Sequence, residues 1–121
     1  MPKRILVVDD KPSSRELVRA VLIHEEYEVL EASDGREALE RMRAAAPDLV
    51  LLDVHMPGLD GYAVVAAART DPALAAVPMI ALTASAMAGD RERALAAGFN
   101  SYLAKPVSMS ALRTEVARLL K

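Results

Sequence analysis

The sequence contains no cysteine among its 121 residues. This absence excludes disulfide bonds, thiolate chemistry and cysteine-ligated metal sites. Nothing in the cysteine content therefore points to an oxidising compartment. The two histidines, His24 and His55, lie far apart in the sequence and lack the short spacing that zinc ligands show. The sequence therefore contains no zinc-type motif.

The chain also lacks an excess of charge of either sign and a long apolar run near its N-terminus. Fifteen Lys and Arg against seventeen Asp and Glu give a formal net charge of −2. No global cationic field attracts nucleic acid or anionic lipid, so neither is expected as a direct partner. The apolar run at residues 5–8 is too short for a signal-peptide core or a membrane span. A soluble, cytoplasmic protein is predicted.

Short apolar runs alternate with segments of helical period along a chain that is long enough for one domain, residues 1–121. The predicted strands are residues 5–8, 27–31, 49–52, 77–82 and 101–104. The first predicted helix begins at Pro12 and carries Leu17, Val18, Val21 and Leu22 on one stripe. The second begins with an Asp34–Glu37 capping box and stops at Pro47. The others are residues 62–69, residues 87–97 ended by Gly98, and a helix capped by Ser108 with Met109, Leu112, Val116 and Leu119 on its apolar stripe.

Strict alternation of strand and helix predicts an α/β fold with a parallel sheet and helices on both faces. At this length the favoured architecture is a flavodoxin-like (βα)5 doubly wound sheet. Periodicity alone leaves two strand orders open. The order 2-1-3-4-5 places strands one and three side by side at the point where ligands bind in open sheets.

Polar residues follow four of the predicted strands. They are Asp9 and Asp10 after the first, Asp53 after the third, Thr83 after the fourth and Lys105 after the fifth. Because parallel strands gather their carboxyl ends at one edge, we expect these side chains to share a pocket.

Three carboxylates in one pocket repel one another, so they require a compensating cation. Oxygen ligands without Cys or a nearby His side chain favour a hard ion, and Mg²⁺ fits best because it commonly bridges to a phosphate. Lys105 can supply a point charge to that phosphate, and Thr83 a hydroxyl donor. One acid would then be a metal ligand and another a nucleophile, since a carboxylate can accept a phosphoryl group as an acyl phosphate.

Four motifs, ILVVDD at 5–10, DVHMPGLDG at 53–61, ALTA at 81–84 and YLAKP at 102–106, resemble in order and spacing the receiver domains of two-component response regulators. The resemblance covers essentially the whole chain. It implies that Asp53 is the phosphoacceptor and that Thr83 and Lys105 contact the phosphoryl group. The implied ligands of Mg²⁺, or of Mn²⁺ in its place, are Asp9, Asp10, Asp53 and the backbone carbonyl of His55. Thr83 and Tyr102 would form the switch, and the Lys105–Pro106 peptide bond would be cis.

The function that the resemblance implies is a signalling switch rather than a conventional enzyme. A histidine kinase or histidine phosphotransfer protein would donate its phosphoryl group to Asp53, and the chain would catalyse only its own phosphorylation and dephosphorylation. The added charge would change the surface of the fourth helix, fifth strand and fifth helix, which binds a downstream protein. The expected state is a monomer or a weak dimer that depends on phosphorylation.

Several residues leave alternatives open. Lys11, beside the acid pair, would either weaken metal binding or attract an anionic donor. His55 and Ser85 occupy positions that in the family influence how fast water reaches the acyl phosphate. Residues 84–91 resemble receivers that stand alone or belong to hybrid kinases more than those fused to winged-helix transcription factors.

Two other functions compete with the switch. The first is a pseudo-receiver that binds a partner without phosphorylation. The second is a Mg²⁺-dependent phosphohydrolase that uses Asp53 covalently, although Val54, His55 and Met56 do not supply the nearby second acid that such an enzyme usually needs.

Overall fold

The computed structural model describes residues 2–84 and 89–120. Strands and helices alternate along them. The strands are β1 (Arg4–Val8), β2 (Glu28–Ala32), β3 (Leu49–Asp53), β4 (Met79–Thr83) and β5 (Ser101–Ala104). The helices are α1 (Pro12–His24), α2 (Gly35–Ala45), α3 (Gly61–Thr70), α4 (Asp90–Ala97) and α5 (Met109–Leu119).

All four strand pairings are parallel, and the strand order is β2-β1-β3-β4-β5. The predicted doubly wound architecture and its order are therefore confirmed. Every residue of β3 and β4 is buried. These two strands consist mostly of apolar residues because helices cover both of their faces.

Two apolar clusters sandwich the sheet. Side chains from α2, α3 and α4 pack on one face, around Leu6, Val50 and Ala81. Side chains from α1 and α5 pack on the other face, around Ile5 and Leu51. Successive strand residues point to opposite faces, so each strand contributes to both clusters. This packing holds the strand ends, and hence the residues that follow them, in fixed positions.

Most predicted elements differ from the structure by one or two residues at a boundary. For example, β1 begins at Arg4, β3 ends at Asp53 and α3 spans Gly61–Thr70. Strand β2 begins at Glu28 and not at residue 27. Strand β4 begins at Met79 because the Val77 N–H donates to Leu74 O in a turn instead of entering the ladder. Helix α4 begins at Asp90, after Gly89 with φ +90°. The predicted start of this helix at Met87 lies outside the described residues.

The predicted caps are largely confirmed. Asp34 accepts a hydrogen bond from Glu37 N, Ser108 accepts one from Ala111 N, and Gly98 ends α4 with φ +119°. The Glu37 carboxylate, however, accepts from Ser33 N at 2.6 Å, one residue before the cap.

Leu17 and Met109 are exceptions to the predicted apolar stripes, since they are 60% and 54% exposed. Each helical residue advances about 100° around the axis, so Leu17 lies at the margin of the stripe that Val18, Val21 and Leu22 bury. Met109 is the first residue of α5 and lies at the corresponding margin of that helix.

Arg69 of α3 connects three segments at the amino ends of β4 and β5. Its guanidinium donates to Gly98 O at 2.9 Å, to Val77 O at 2.7 Å, to Ala75 O at 3.0 Å and to Asn100 Oδ1 at 2.8 Å. Burial lowers the pKa of this guanidinium. All four acceptors are neutral. The planar guanidinium therefore holds the segment before β4 and the segment before β5 by hydrogen bonds and not by an ion pair.

Replacing Arg69 by lysine should therefore destabilise the fold, although the charge is kept. A single ammonium cannot satisfy four acceptors in these directions, and we expect a loss of about 2 kcal/mol in the free energy of unfolding. Urea denaturation followed by circular dichroism measures it. The control is Arg36→Lys on the exposed side of α2, where the Arg36–Glu40 pair is at the surface and a change within about 0.5 kcal/mol is expected. Equal stability of the two variants would contradict the role of Arg69.

Candidate functional site

The carboxyl edge of the sheet brings together the five residues that the sequence places after its strands. Asp9 follows β1, Asp53 ends β3 and Thr83 ends β4, and all three are at least 96% buried. Lys105 follows β5 and reaches back across β4 and β3 to the acids. Adjacency of β1 and β3 in the sheet is what lets Asp9 meet Asp53.

The three acids form a compact cluster. Asp9, Asp10 and Asp53 each offer a carboxylate oxygen within 4.8 Å of the others. Asp9 Oδ1 accepts from Lys11 N, and Asp53 Oδ1 accepts from His55 N, both at 3.0 Å. These bonds to the backbone two residues on fix the orientation of both carboxylates.

The Oδ1 atom of Asp10 is buried and has no hydrogen-bond partner among the described residues. An unpartnered buried carboxylate oxygen is costly, and a cation bound there would compensate it. The donor set consists of carboxylate oxygens, which suit a hard ion such as Mg²⁺. The residues present therefore fit a divalent metal site.

Lys105 provides positive charge within the cluster. Its Nζ lies 2.7 Å from Asp9 Oδ2 and 3.3 Å from Asp53 Oδ2. Burial lowers the pKa of this amine, but the hydrogen bond to Asp9 and the charges of Asp53 and Asp9 outweigh burial and raise the pKa above its usual value. The ammonium form is thus secured. The Lys105–Pro106 peptide bond is cis, as predicted.

Burial raises the pKa of Asp53 above its usual value, because removal from water disfavours the carboxylate form. The backbone hydrogen bond from His55 and the charge of Lys105 act in the opposite direction without cancelling that effect. Asp53 is consequently a desolvated carboxyl group, and its ionised form lowers the stability of the folded state.

Thr83 and Tyr102 extend the site toward α4. The Thr83 Oγ1 atom lies 3.1 Å from His55 Nε2. Tyr102 lies on β5 and is half-buried. It packs against the apolar cluster between the sheet and helices α2, α3 and α4. Burial and the charge of Asp90 raise the pKa of the Tyr102 hydroxyl, so the phenol is neutral at physiological pH. Ser85 lies outside the described residues.

Two residues near the site have structural roles that the sequence reasoning did not assign to them. Arg15 of α1 donates to the Asp9 carbonyl oxygen at 2.7 Å and to Glu31 Oε1 at 3.2 Å, which braces the turn after β1. A Cβ atom at Gly61 would lie 2.6 Å from Val54 Cα, so only glycine allows α3 to start against this loop. Gly61 is the last residue of the DVHMPGLDG motif, which is a signal in the sequence. Arg15 belongs to no motif, so the sequence contains no signal for its role.

The family model of the response regulator receiver domain matches residues 5–117. The chain belongs to the response regulator receiver domains. Receiver domains are signalling switches, and membership of this family is consistent with phosphorylation-dependent signalling.

Known proteins with similar sequences or structures agree with this assignment. The chain is 37% identical over 109 residues to the polar-differentiation response regulator DivK of Brucella anthropi, covering 90% of this chain and 89% of DivK. Against the response regulator PleD of Caulobacter vibrioides the identity is 40% over 121 residues. The match covers this whole chain but 27% of PleD. The chain thus spans about a quarter of that relative.

Solved structures show the same fold. A putative response regulator from Chloroflexus aurantiacus superposes with a TM-score of 0.95 at 35% identity, covering 99% of this chain and 98% of the other. The chemotaxis response regulator CheY4 of Vibrio cholerae gives 0.92 at 32% identity, covering 99% and 100%. Among the described residues of this receiver domain, no helix has the length and apolar character needed to cross a membrane.

The raised pKa of Asp53 predicts how stability depends on pH. A carboxyl group whose native pKa is raised binds its proton more tightly when folded, so its favourable contribution is complete below the usual value of 3.8. That contribution is lost as pH rises through the native pKa. In the absence of divalent metal, Asp53→Asn should therefore be more stable than the wild type at pH 7, by on the order of 1 kcal/mol.

Urea denaturation of both proteins between pH 3.5 and pH 8, with EDTA, tests this prediction. The stability difference between Asp53→Asn and the wild type should widen as pH rises. Asp34→Asn is the control, because Asp34 is an exposed helix cap and Asn caps equally well. A difference that stays constant or narrows with rising pH would show that Asp53 carries no desolvation cost.

Proposed function

We propose that this receiver domain is a phosphorylation-dependent switch whose phosphoacceptor is Asp53. The observation that carries the proposal is the buried Asp53 carboxylate at the end of a central strand, clustered with Asp9 and Asp10 and 3.3 Å from Lys105 Nζ. The donor is a phosphohistidine on a histidine kinase or histidine phosphotransfer protein. Residues 1–121 act as one receiver domain and meet these donors in the cytoplasm, with neither nucleic acid nor membrane as a direct partner.

The reaction is a transfer between two nucleophiles. A carboxylate oxygen of Asp53 attacks phosphorus, the new O–P bond forms, and the N–P bond of the phosphohistidine breaks. The departing imidazole takes a proton from solvent. Water later attacks the acyl phosphate, which releases inorganic phosphate and restores the carboxylate. The chain acts only on itself in both steps and is not a conventional enzyme.

Asp9, Asp10, Asp53 and the backbone carbonyl of His55 would hold Mg²⁺, with Mn²⁺ as a substitute. The bound ion supplies positive charge that offsets the carboxylates and the phosphoryl oxygens. Lys105 moves its point charge from Asp9 to a phosphoryl oxygen, and Thr83 donates its hydroxyl to another.

Phosphorylation adds about −1.5 to −2 charges at the edge of the sheet. We infer that this charge draws Thr83 toward Asp53 and shifts Tyr102 and α4 in a two-state equilibrium. The packing of α4 supports this inference, since its eight residues bury Ala94, whereas α3 buries Gly61, Val64, Val65 and Ala68. A helix with little buried apolar surface moves at low cost.

The surface formed by α4, β5 and α5 would then bind a downstream protein. In solution the chain is expected to be a monomer or a weak dimer that forms on phosphorylation.

Intact mass after incubation with acetyl phosphate and Mg²⁺ tests the phosphoacceptor. Wild type should gain one phosphoryl group, and the gain should disappear in Asp53→Asn and on addition of EDTA. Asp60→Asn is the matched control, because Asp60 is an exposed cap of α3 close in sequence, and it should be labelled like wild type. Equal labelling of wild type and Asp53→Asn would contradict the assignment. No labelling by acetyl phosphate or by a phosphohistidine donor would favour the pseudo-receiver.

Removing the Lys105 charge should strengthen Mg²⁺ binding. The ammonium 2.7 Å from Asp9 compensates the same carboxylates that the metal would bind. Lys105→Gln should therefore raise Mg²⁺ affinity about tenfold while slowing labelling by acetyl phosphate. Isothermal titration calorimetry measures the affinity. Lys3→Gln is the control, since Lys3 is exposed and precedes β1, at the opposite end of that strand from the acids. An affinity that falls in Lys105→Gln would contradict this competition.

A further inference from the structure

The His55 side chain contacts Thr83, and neither the proposed metal site nor the proposed phosphoryl transfer uses this contact. Its Nε2 atom lies 3.1 Å from Thr83 Oγ1, across 28 positions of sequence. The same residue donates its backbone N–H to Asp53 Oδ1 at 3.0 Å. His55 is therefore bonded at once to the proposed phosphoacceptor and to the hydroxyl that would bind the phosphoryl group.

Burial distinguishes the two ends of this contact. Thr83 is 2% exposed, whereas His55 is an exposed residue. The imidazole thus lies on the outer side of a buried hydroxyl. A hydrogen bond to the ring limits the rotation of the Thr83 side chain and holds its oxygen toward the loop after β3, which carries Asp53.

The bonding capacity of a hydroxyl decides what this contact can do. A threonine hydroxyl has one proton to donate and two lone pairs to accept with. Phosphoryl oxygens only accept, so binding a phosphoryl group requires the Thr83 proton. A ring nitrogen that donates to Oγ1 does not compete with a phosphoryl oxygen for that proton, whereas a ring nitrogen that accepts does compete for it.

We propose that His55 is a positioning residue in which Nε2–H donates to Thr83 Oγ1, so that the threonine proton is directed to a phosphoryl oxygen on Asp53. This proposal rests on the proposed function of Asp53. It adds a role for the imidazole that is separate from metal binding, which uses the backbone carbonyl of the same residue. The ring acts through Thr83, so its effect should vanish when the hydroxyl is removed.

The experiment measures the affinity of the full chain for beryllofluoride, a phosphoryl analogue that cannot be transferred, at saturating Mg²⁺ by ¹⁹F NMR. His55→Leu keeps the backbone carbonyl but has no side-chain donor, and we expect its affinity to fall about fivefold. His55→Gln carries an amide N–H donor and should recover at least half of the loss. Mg²⁺ affinity, measured by calorimetry, should stay within about twofold in both variants.

A double-mutant cycle separates this role from general support of the loop. In the Thr83→Val background, His55→Leu should cause no further loss of beryllofluoride affinity, because the bonded oxygen is gone. Nitrogen-15 NMR of the wild-type imidazole should show a proton on Nε2. Thermal unfolding of each variant by circular dichroism verifies that it is folded.

Three results would overturn the proposal. His55→Leu could bind beryllofluoride as tightly as wild type. It could also bind more tightly, which would mean that the His55 ring competes for the Thr83 hydroxyl proton. The effect of His55→Leu could persist in Thr83→Val, which would indicate support of the loop. Wild type could fail both to bind beryllofluoride and to be labelled at Asp53, in which case the proposed function and this inference fail together. Normal labelling with unchanged His55 variants would overturn the inference alone.

Discussion

Repulsion among three carboxylates is the constraint on which this structure depends. β1 and β3 are adjacent, and their apolar residues are buried between two clusters on the faces of the sheet. Asp9 and Asp53 therefore cannot move apart without breaking a ladder that lies inside the core. Because relaxation is blocked, the charge has to be compensated locally by a cation. Lys105, reaching from the end of β5, provides that compensation within the protein itself.

Confinement of the three acids lowers the stability of the fold, and the same confinement would make the site sensitive to a bound cation. A desolvated Asp53 with a raised pKa reduces the stability of the fold, and Asp10 Oδ1 lacks a hydrogen-bond partner among the described residues. Groups held in this way would gain most from a bound cation, or from a phosphoryl group together with its metal. Binding of such a ligand would recover the stability that the acids remove, as expected where function opposes stability.

In the proposed switch, the response would pass to α4 because the two ends of that helix are held differently. At the far end, Arg69 donates to Gly98 O just after the helix and so ties it to α3. At the end near the site, the helix starts after Gly89 in a left-handed conformation. Between them the helix buries Ala94. Together these features favour a shift that begins near Thr83 and is limited at the opposite end.

The sequence by itself determined the alternation of strands and helices, the domain class and the set of polar residues at the strand ends, because periodicity and strand ends are local properties. It also carried the motifs that indicate the receiver family. Tertiary structure decided the contacts that depend on strand order and side-chain direction. The His55 ring reaches Thr83 and the Arg15 guanidinium reaches the Asp9 carbonyl only after folding. The exposure of Leu17 likewise depends on which side of α1 the sheet occupies. No local pattern encodes such distances, since they join residues that only the packed sheet brings together.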